Sequence, residues 1–246
     1  TLADPLARRL GQNVLVEAIA GANTISGTQQ LVRAAPDGHT FMITTMSTTV
    51  NNRILFTKLP YDPFKDLAAV VLTTSQPNLL AVNAGLPVKS VRELIDYVRR
   101  NPGKLNYGSI GSGSSSHLTM ELINMLSGAQ LTHVAYKGTG PGMTDLIAGR
   151  VSATSASVVS TLPHVKAGRL RALAVTGRSR SQVVPDLPTV AEAGVKGFEM
   201  DVWHGAIAPA GTPVDVVNRL HAEISRIIAQ PETRDRLLGS GFETIG

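Results

Sequence analysis

The sequence predicts an α/β protein of two lobes, and three observations predict it. Short apolar runs of strand length alternate with amphipathic helix patterns along most of the chain. Its 246 residues suffice for two lobes of roughly 100–150 residues each. No internal repeat, low-complexity tract or long flexible linker interrupts the alternation.

The strand candidates, in order, are Asn13–Val16, Thr40–Thr44, Leu79–Val82, Leu105–Tyr107, Thr132–Ala135, Val151–Ala153, Leu170–Val175 and Gly205–Ala208. Their alternation with helices argues for largely parallel sheets. Between them, Ser90-Val91-Arg92-Glu93 reads as a capping box, followed by the face Leu94, Ile95 and Val98 and stopped by Pro102-Gly103. Pro141 starts a helix that ends near Gly149. Thr212 at N-cap and Pro213 at N1 open a helix whose stripe is Val217, Leu220, Ile224, Ile227 and Ile228. Two crossings are expected, at Asn83–Pro87 and near Val202–Ala208. They build lobe 1 from residues 1–84 and 204–246, and lobe 2 from residues 85–203.

Composition removes several function classes. Hydrophobic residues make up 43%, which fits a globular soluble chain, and no apolar run approaches the ~20 residues of a membrane-spanning helix. Zero cysteines exclude disulfides, Cys-ligated metals and thiol nucleophiles. The net charge of +5 is spread along the chain and aromatics are only 4%, which favours small anions over nucleic acid as partners. The six histidines, 39, 117, 133, 164, 204 and 221, have no metal-ligand spacing, and no cofactor motif occurs.

The most informative stretch runs from Asn106 to His117, where a strand ends in a Gly/Ser loop that opens a helix carrying Leu118, Leu122 and Leu126. Gly111 and Gly113 let the backbone turn tightly and approach a ligand. The first N–H groups of a helix lack internal partners and face outward with the positive end of the dipole behind them. Ser109, Ser114 and Ser115 add hydroxyls, so the loop suits a carboxylate. A second strand-to-helix loop, Tyr136-Lys137-Gly138, can meet the first outside the carboxyl ends of the strands. Lys137 pairs with an anion or is merely solvated, and Tyr136 offers a hydroxyl or simply packs. Ser47 and Thr48, in the run Thr44–Thr49, and Ser157, in the run Ser152–Ser157, are further hydroxyl candidates. Trp203 lines a cleft or fills a core.

Catalytic motifs are missing. The loop has no G-x-S-x-G elbow, since Ile110 follows Gly108-Ser109 and Gly113 follows Gly111-Ser112. The dinucleotide fingerprint fails at Ser116, and neither a P-loop nor H-E-x-x-H occurs. A hydrolase using Ser114 or Ser115 with His117 stays as an alternative, as does a ligand-sensing module that signals to a partner.

Eight ordered motifs make the chain resemble the extracytoplasmic receptors of tripartite tricarboxylate transporters, the Bug-type family. They are Pro36-Asp37-Gly38-His39-Thr40, Leu59-Pro60-Tyr61-Asp62-Pro63, Lys104-Leu105-Asn106-Tyr107-Gly108-Ser109 and Gly113-Ser114-Ser115-Ser116-His117-Leu118, then His133-Val134-Ala135-Tyr136-Lys137-Gly138, Leu170-Arg171-Ala172-Leu173-Ala174-Val175-Thr176, Pro185-Asp186-Leu187-Pro188-Thr189 and Ala208-Pro209-Ala210-Gly211-Thr212-Pro213. The resemblance implies a type II periplasmic binding-protein fold whose first strand stands upstream of the residues present. It implies a periplasmic, non-enzymatic monomer without cofactor or metal, which captures a small carboxylate between its lobes and delivers it to membrane permease subunits. By the same resemblance, Ser47 and Thr48, Ser109 through Ser115, Tyr136-Lys137-Gly138 and Ser155 to Ser157 hold the ligand.

Overall fold

A computed structural model describes residues 2–19 and 21–245; Thr1, Ala20 and Gly246 lie outside the described residues. The chain forms two compact units, Thr1–Ser75 with Trp203–Gly246, and Gln76–Val202.

The first unit contains α1 (Ala3–Leu10), α2 (Ile25–Arg33), β1 (Met42–Thr45), α3 (Asn52–Leu55) and β2 (Leu67–Gln76). The returning chain adds β8 (Val202–Pro209), α8 (Val214–Ile228), α9 (Pro231–Gly239) and β9 (Glu243–Thr244). Its sheet has the order β1-β8-β2-β9. β1 pairs antiparallel with β8, from Met42 opposite Ile207 to Thr45 opposite His204, and β9 pairs antiparallel with β2. The apolar stripe of α8 buries Leu220, Ile224, Ile227 and Ile228 against Leu6, Val70, Ala206 and Ala208. Pro213, not Thr212, is the N-cap of α8. The Thr212 hydroxyl instead donates to the Pro209 carbonyl at 2.8 Å and closes the preceding turn.

Asn13–Val16 forms no strand. Leu15 and Val16 are 86% and 79% exposed, and only Val14 packs on the core. An extended segment becomes a strand when a neighbour satisfies its backbone groups, and no described strand pairs with this one. β2 is the converse, because its burial does not alternate along the strand and so leaves no period-two signal.

The second unit contains β3 (Asn78–Asn83), α4 (Val91–Arg100), β4 (Asn106–Ser109), α5 (Ser115–Ser127), β5 (Thr132–Ala135), α6 (Thr139–Ile147), β6 (Ala153–Ser157), α7 (Val158–Lys166) and β7 (Leu170–Val175). The sheet order is β5-β4-β6-β3-β7. β4 runs parallel to β5 and β6, whereas β3 is antiparallel to both β6 and β7. The expectation of largely parallel sheets is therefore wrong: the sheets are of mixed and antiparallel pairing. A continuous apolar run such as Leu79–Val82 reports burial on both faces but carries no direction.

Half of the expected capping box before α4 forms: Ser90 Oγ accepts from Glu93 N–H at 3.2 Å, but the Glu93 carboxylate accepts from Lys89 N–H at 2.8 Å, one residue before the cap, rather than from Ser90 N–H. Val91, Leu94 and Val98 of that helix pack with Leu80, Val82, Tyr107, Met120 and Ile123. Asn83–Pro87, expected as a crossing point, is a turn inside this unit. Asn83 Nδ2 donates to the Leu146 and Ile147 carbonyls, and Arg171 donates to those of Ala84, Leu86 and Val88. β6 starts at Ala153 rather than Val151, because the Val151 and Ser152 N–H groups close a turn onto Asp145 O and Asn106 Oδ1.

This topology positions the site. Parallel β4, β5 and β6 end at one edge of their sheet, so the loops leading into α5, α6 and α7 emerge together. Because β3 runs antiparallel, with Asn78 opposite Ser157, its beginning lies at that same edge.

Candidate functional site

The loop after β4 is held by its own hydroxyls. Gly111 and Gly113 adopt φ of 130° and 79°, which an L side chain rarely tolerates. Ser114 caps α5, accepting from His117 N–H and donating to Gly111 O at 2.6 Å. Ser116 Oγ accepts from Ile110 N–H at 3.1 Å. Ser109 Oγ accepts from Gly111 N–H at 3.1 Å and lies 2.6 Å from His133 Nε2. In the second loop Gly138, with φ 118° and ψ 176°, turns the chain into α6. In the third, Ser157 caps α7.

These loops enclose a cavity of about 150 Å³ within the second unit. Its polar wall includes Ser109, Ser115, Thr139, Thr154, Ser155 and Ser157, with Gln76 and Asn78 from the entry to β3. Ile110, Met143 and Val202 supply apolar surface, and among the described residues no charged side chain lines it. The first residues of α5 and α6 and the cap of α7 all stand on the wall, so three helix N-termini and three positive dipole ends are gathered there, with one N–H of α5 and one of α7 satisfied by the Ser114 and Ser157 caps. Each dipole favours an anion by ~0.3–1 kcal/mol, more when partly buried.

One wall residue is conspicuous. Ser155 is fully buried, yet its hydroxyl has no hydrogen-bond partner. Leaving such a group unpaired costs ~1–3 kcal/mol. Its neighbour Thr154 is satisfied, donating to Gly108 O at 2.9 Å. The pocket therefore offers neutral donors, one of them waiting for an acceptor, and among the described residues no lining group that titrates near neutrality.

Of the residues singled out in the sequence, Ser109, Ser115, Gly138 and Ser157 share this wall. Gly111, Gly113 and Ser114 lie off it and shape the loop. Tyr136 packs: its ring would stand a tight 3.3 Å from a Cβ at Gly108 or Gly142, and its hydroxyl donates to Asp145 at 2.8 Å. Burial and that bond raise the Tyr136 pKa. Lys137 is exposed and Trp203 is off the wall, where Val202 stands instead. Gln76 and Asn78 went unnoticed; their only signal is the polar break Gln76-Pro77-Asn78 between two strands.

Ser47 and Thr48 belong to the first unit, in the π-helical turn Ser47–Asn51 after β1. Thr48 Oγ1 bonds the hydroxyls of Thr24 and Thr44, and its carbonyl accepts from Tyr61 at 2.8 Å. Asn23 and Thr24 hold positive φ there, a strained conformation that Asn52 braces by donating to the Asn23 carbonyl.

The geometry does not pair Ser114 with His117 as nucleophile and base. His117 Nδ1 accepts from Gly113 N–H at 3.2 Å, and Ser114 gives its proton to Gly111 O. Ser109 does meet a histidine, His133. The nearby carboxylate of Glu121 accepts from Tyr107 at 2.5 Å, and among the described residues no hydrogen bond joins it to His133.

Fold and pocket define a solute-binding protein of the periplasmic-binding-protein type. The family profile of the tripartite tricarboxylate transporter receptors (TctC) matches residues 1–246, and the chain belongs to that family, a family of receptors rather than enzymes. Three solved structures are similar. A protein of R. palustris with adipate is 35% identical, with a TM-score of 0.89 over 100% of this chain and 82% of its own. MatC from Rhodopseudomonas palustris with bound malate is 35% identical, with a TM-score of 0.84 over 98% and 82%. The periplasmic binding protein BugD is 32% identical, with a TM-score of 0.84 over 99% and 81%.

Proposed function

We propose that this chain is a periplasmic receptor that captures a small carboxylate in the donor-lined pocket of its second unit and passes it, chemically unchanged, to the permease subunits of a tripartite transporter. The supporting observation is the gathering of three helix starts and the unpartnered Ser155 hydroxyl around an uncharged cavity. Neutral donors grip an anion without the deep well that a buried cation would create, and a carrier must release its cargo. The adipate and malate of the two similar structures are acids of this class.

Calorimetric and thermal-shift titration of mono-, di- and tricarboxylates tests this reading. An acid at 100 times its Kd should stabilise the protein by ~2.7 kcal/mol. Absence of heat and of any shift in melting with every acid would refute it.

A further inference from the structure

The 23 Lys and Arg residues and the 18 Asp and Glu residues are shared unevenly between the two units. Residues 76–202 hold 13 of the cations against 8 acids, and the first unit holds 10 against 10, so the whole net charge of +5 belongs to the second unit. The pocket wall uses none of it. Instead, cations crowd the opposite edge of the sheet, where β4, β6 and β7 begin.

Three turns enter those strands, and each carries one exposed cation: Lys104 before β4, Arg150 before β6 and Arg169 before β7. Hydrogen bonds hold the turns at one level. Asn106, the first residue of β4, donates from Nδ2 to Arg150 O at 3.1 Å, and Ala84, just past the end of β3, donates its N–H to Arg169 O at 3.2 Å. With the order β4-β6-β3-β7 and strands about 4.8 Å apart, the three turns span about 14 Å. Two further exposed cations extend the row. Lys166 is the last residue of α7, and Arg99, near the end of α4, donates to Ser127 O where α5 ends.

Residues 101–105, 148–152 and 166–169 contain no acid. Asp145 pairs with Arg150 at 2.7 Å, but among the described residues Lys104, Lys166 and Arg169 enter no ion pair. Helix dipoles account for Arg99 and Lys166, which stand in last turns. They do not account for Lys104 and Arg169, which lie outside the helices. Like charges this close repel, so the fold gains nothing from the row, and only an anionic partner reverses the sign.

We propose that this basic edge docks the second unit on an anionic lipid surface, with the pocket edge turned away from the lipid. A level row of exposed ammonium and guanidinium groups meets lipid phosphates at any register, whereas an acidic protein segment would have to match its spacing. Met125, 72% exposed in the last turn of α5, adds an apolar side chain that can enter the headgroup layer. The attachment is peripheral, mainly electrostatic and screened by salt.

Sedimentation of the full chain with vesicles tests this, using equal parts of phosphatidylglycerol and phosphatidylcholine, and phosphatidylcholine alone. Wild type should bind only the anionic vesicles and be released by about 0.5 M salt. Lys104→Gln, Lys166→Gln and Arg169→Gln together should weaken binding roughly 100-fold, about fivefold for each cation. Arg219→Gln, Arg234→Gln and Arg236→Gln remove the same charge from exposed positions of the first unit and should leave binding within about twofold of wild type. Lys104→Gln alone should lose about fivefold, which keeps the test decisive if the triple variant fails to fold. Equal losses in the two triple variants would reduce the effect to net charge and overturn the docking edge. Failure of wild type to bind anionic vesicles overturns it too, and capture by immobilised polyglutamate in that case would assign the edge to an acidic protein instead.

Discussion

Replacing Ser155 with alanine should move affinity and stability in different directions. Ser155 is fully buried in β6, opposite Leu80 of β3, and its hydroxyl has no partner in the empty protein. A hydrogen bond from it to a carboxylate is worth ~1.5–3 kcal/mol, so Ser155→Ala should weaken binding roughly 10- to 150-fold. The empty protein loses no bond; it sheds a buried hydroxyl whose desolvation costs ~1–3 kcal/mol, against which stands the small void left by one oxygen atom. Its stability should hold or rise. Calorimetry reads the first effect, and urea unfolding without ligand reads the second. A Kd within about twofold of wild type, or a stability loss beyond about 1 kcal/mol, would refute the reasoning: the hydroxyl would then face away from the ligand or have an internal partner.

Other residues give independent checks. Gly138→Ala places a side chain at φ 118°, ψ 176°, where nothing crowds the new Cβ but the backbone itself is strained; urea unfolding should record a loss of ~1–3 kcal/mol. Tyr136→Phe removes the bond to Asp145 and nothing at the cavity, so calorimetry should find Kd unchanged while stability falls by ~0.5–1.5 kcal/mol. Burial holds the His204 pKa below its ordinary 6.5. The unfolded chain therefore binds that proton first, and stability should be constant above about pH 6.5 and fall as pH drops from there toward the folded-state value. Urea midpoints across that range should decline less steeply for His204→Gln.

Local chemistry was the legible part of this protein. The Gly111–Gly113 loop, the Ser90 capping box and the α8 stripe announce themselves because their causes lie within a few residues of one another. Strand direction does not, since reversing β3 leaves its apolar run unchanged. That reversal is what brings Gln76 and Asn78 to the pocket, and it hid them. Ser109 was visible as a pocket hydroxyl, but its partner His133 is 24 residues away and meets it only through the pairing of β4 with β5. Ser155 lay in a noticed hydroxyl run, Ser152–Ser157. Its unpaired state emerges only when the sheet satisfies Thr154 and not its neighbour.

The most direct measurement is an amide ¹H–¹⁵N titration of the intact protein with the tightest-binding acid. Saturable shifts should be largest at the N–H groups of Ser115, Ser116, Thr139 and Val158, where α5, α6 and α7 begin. Saturation with those four amides unmoved, and the perturbed signals gathered elsewhere, would contradict the assignment of the anion site to this pocket.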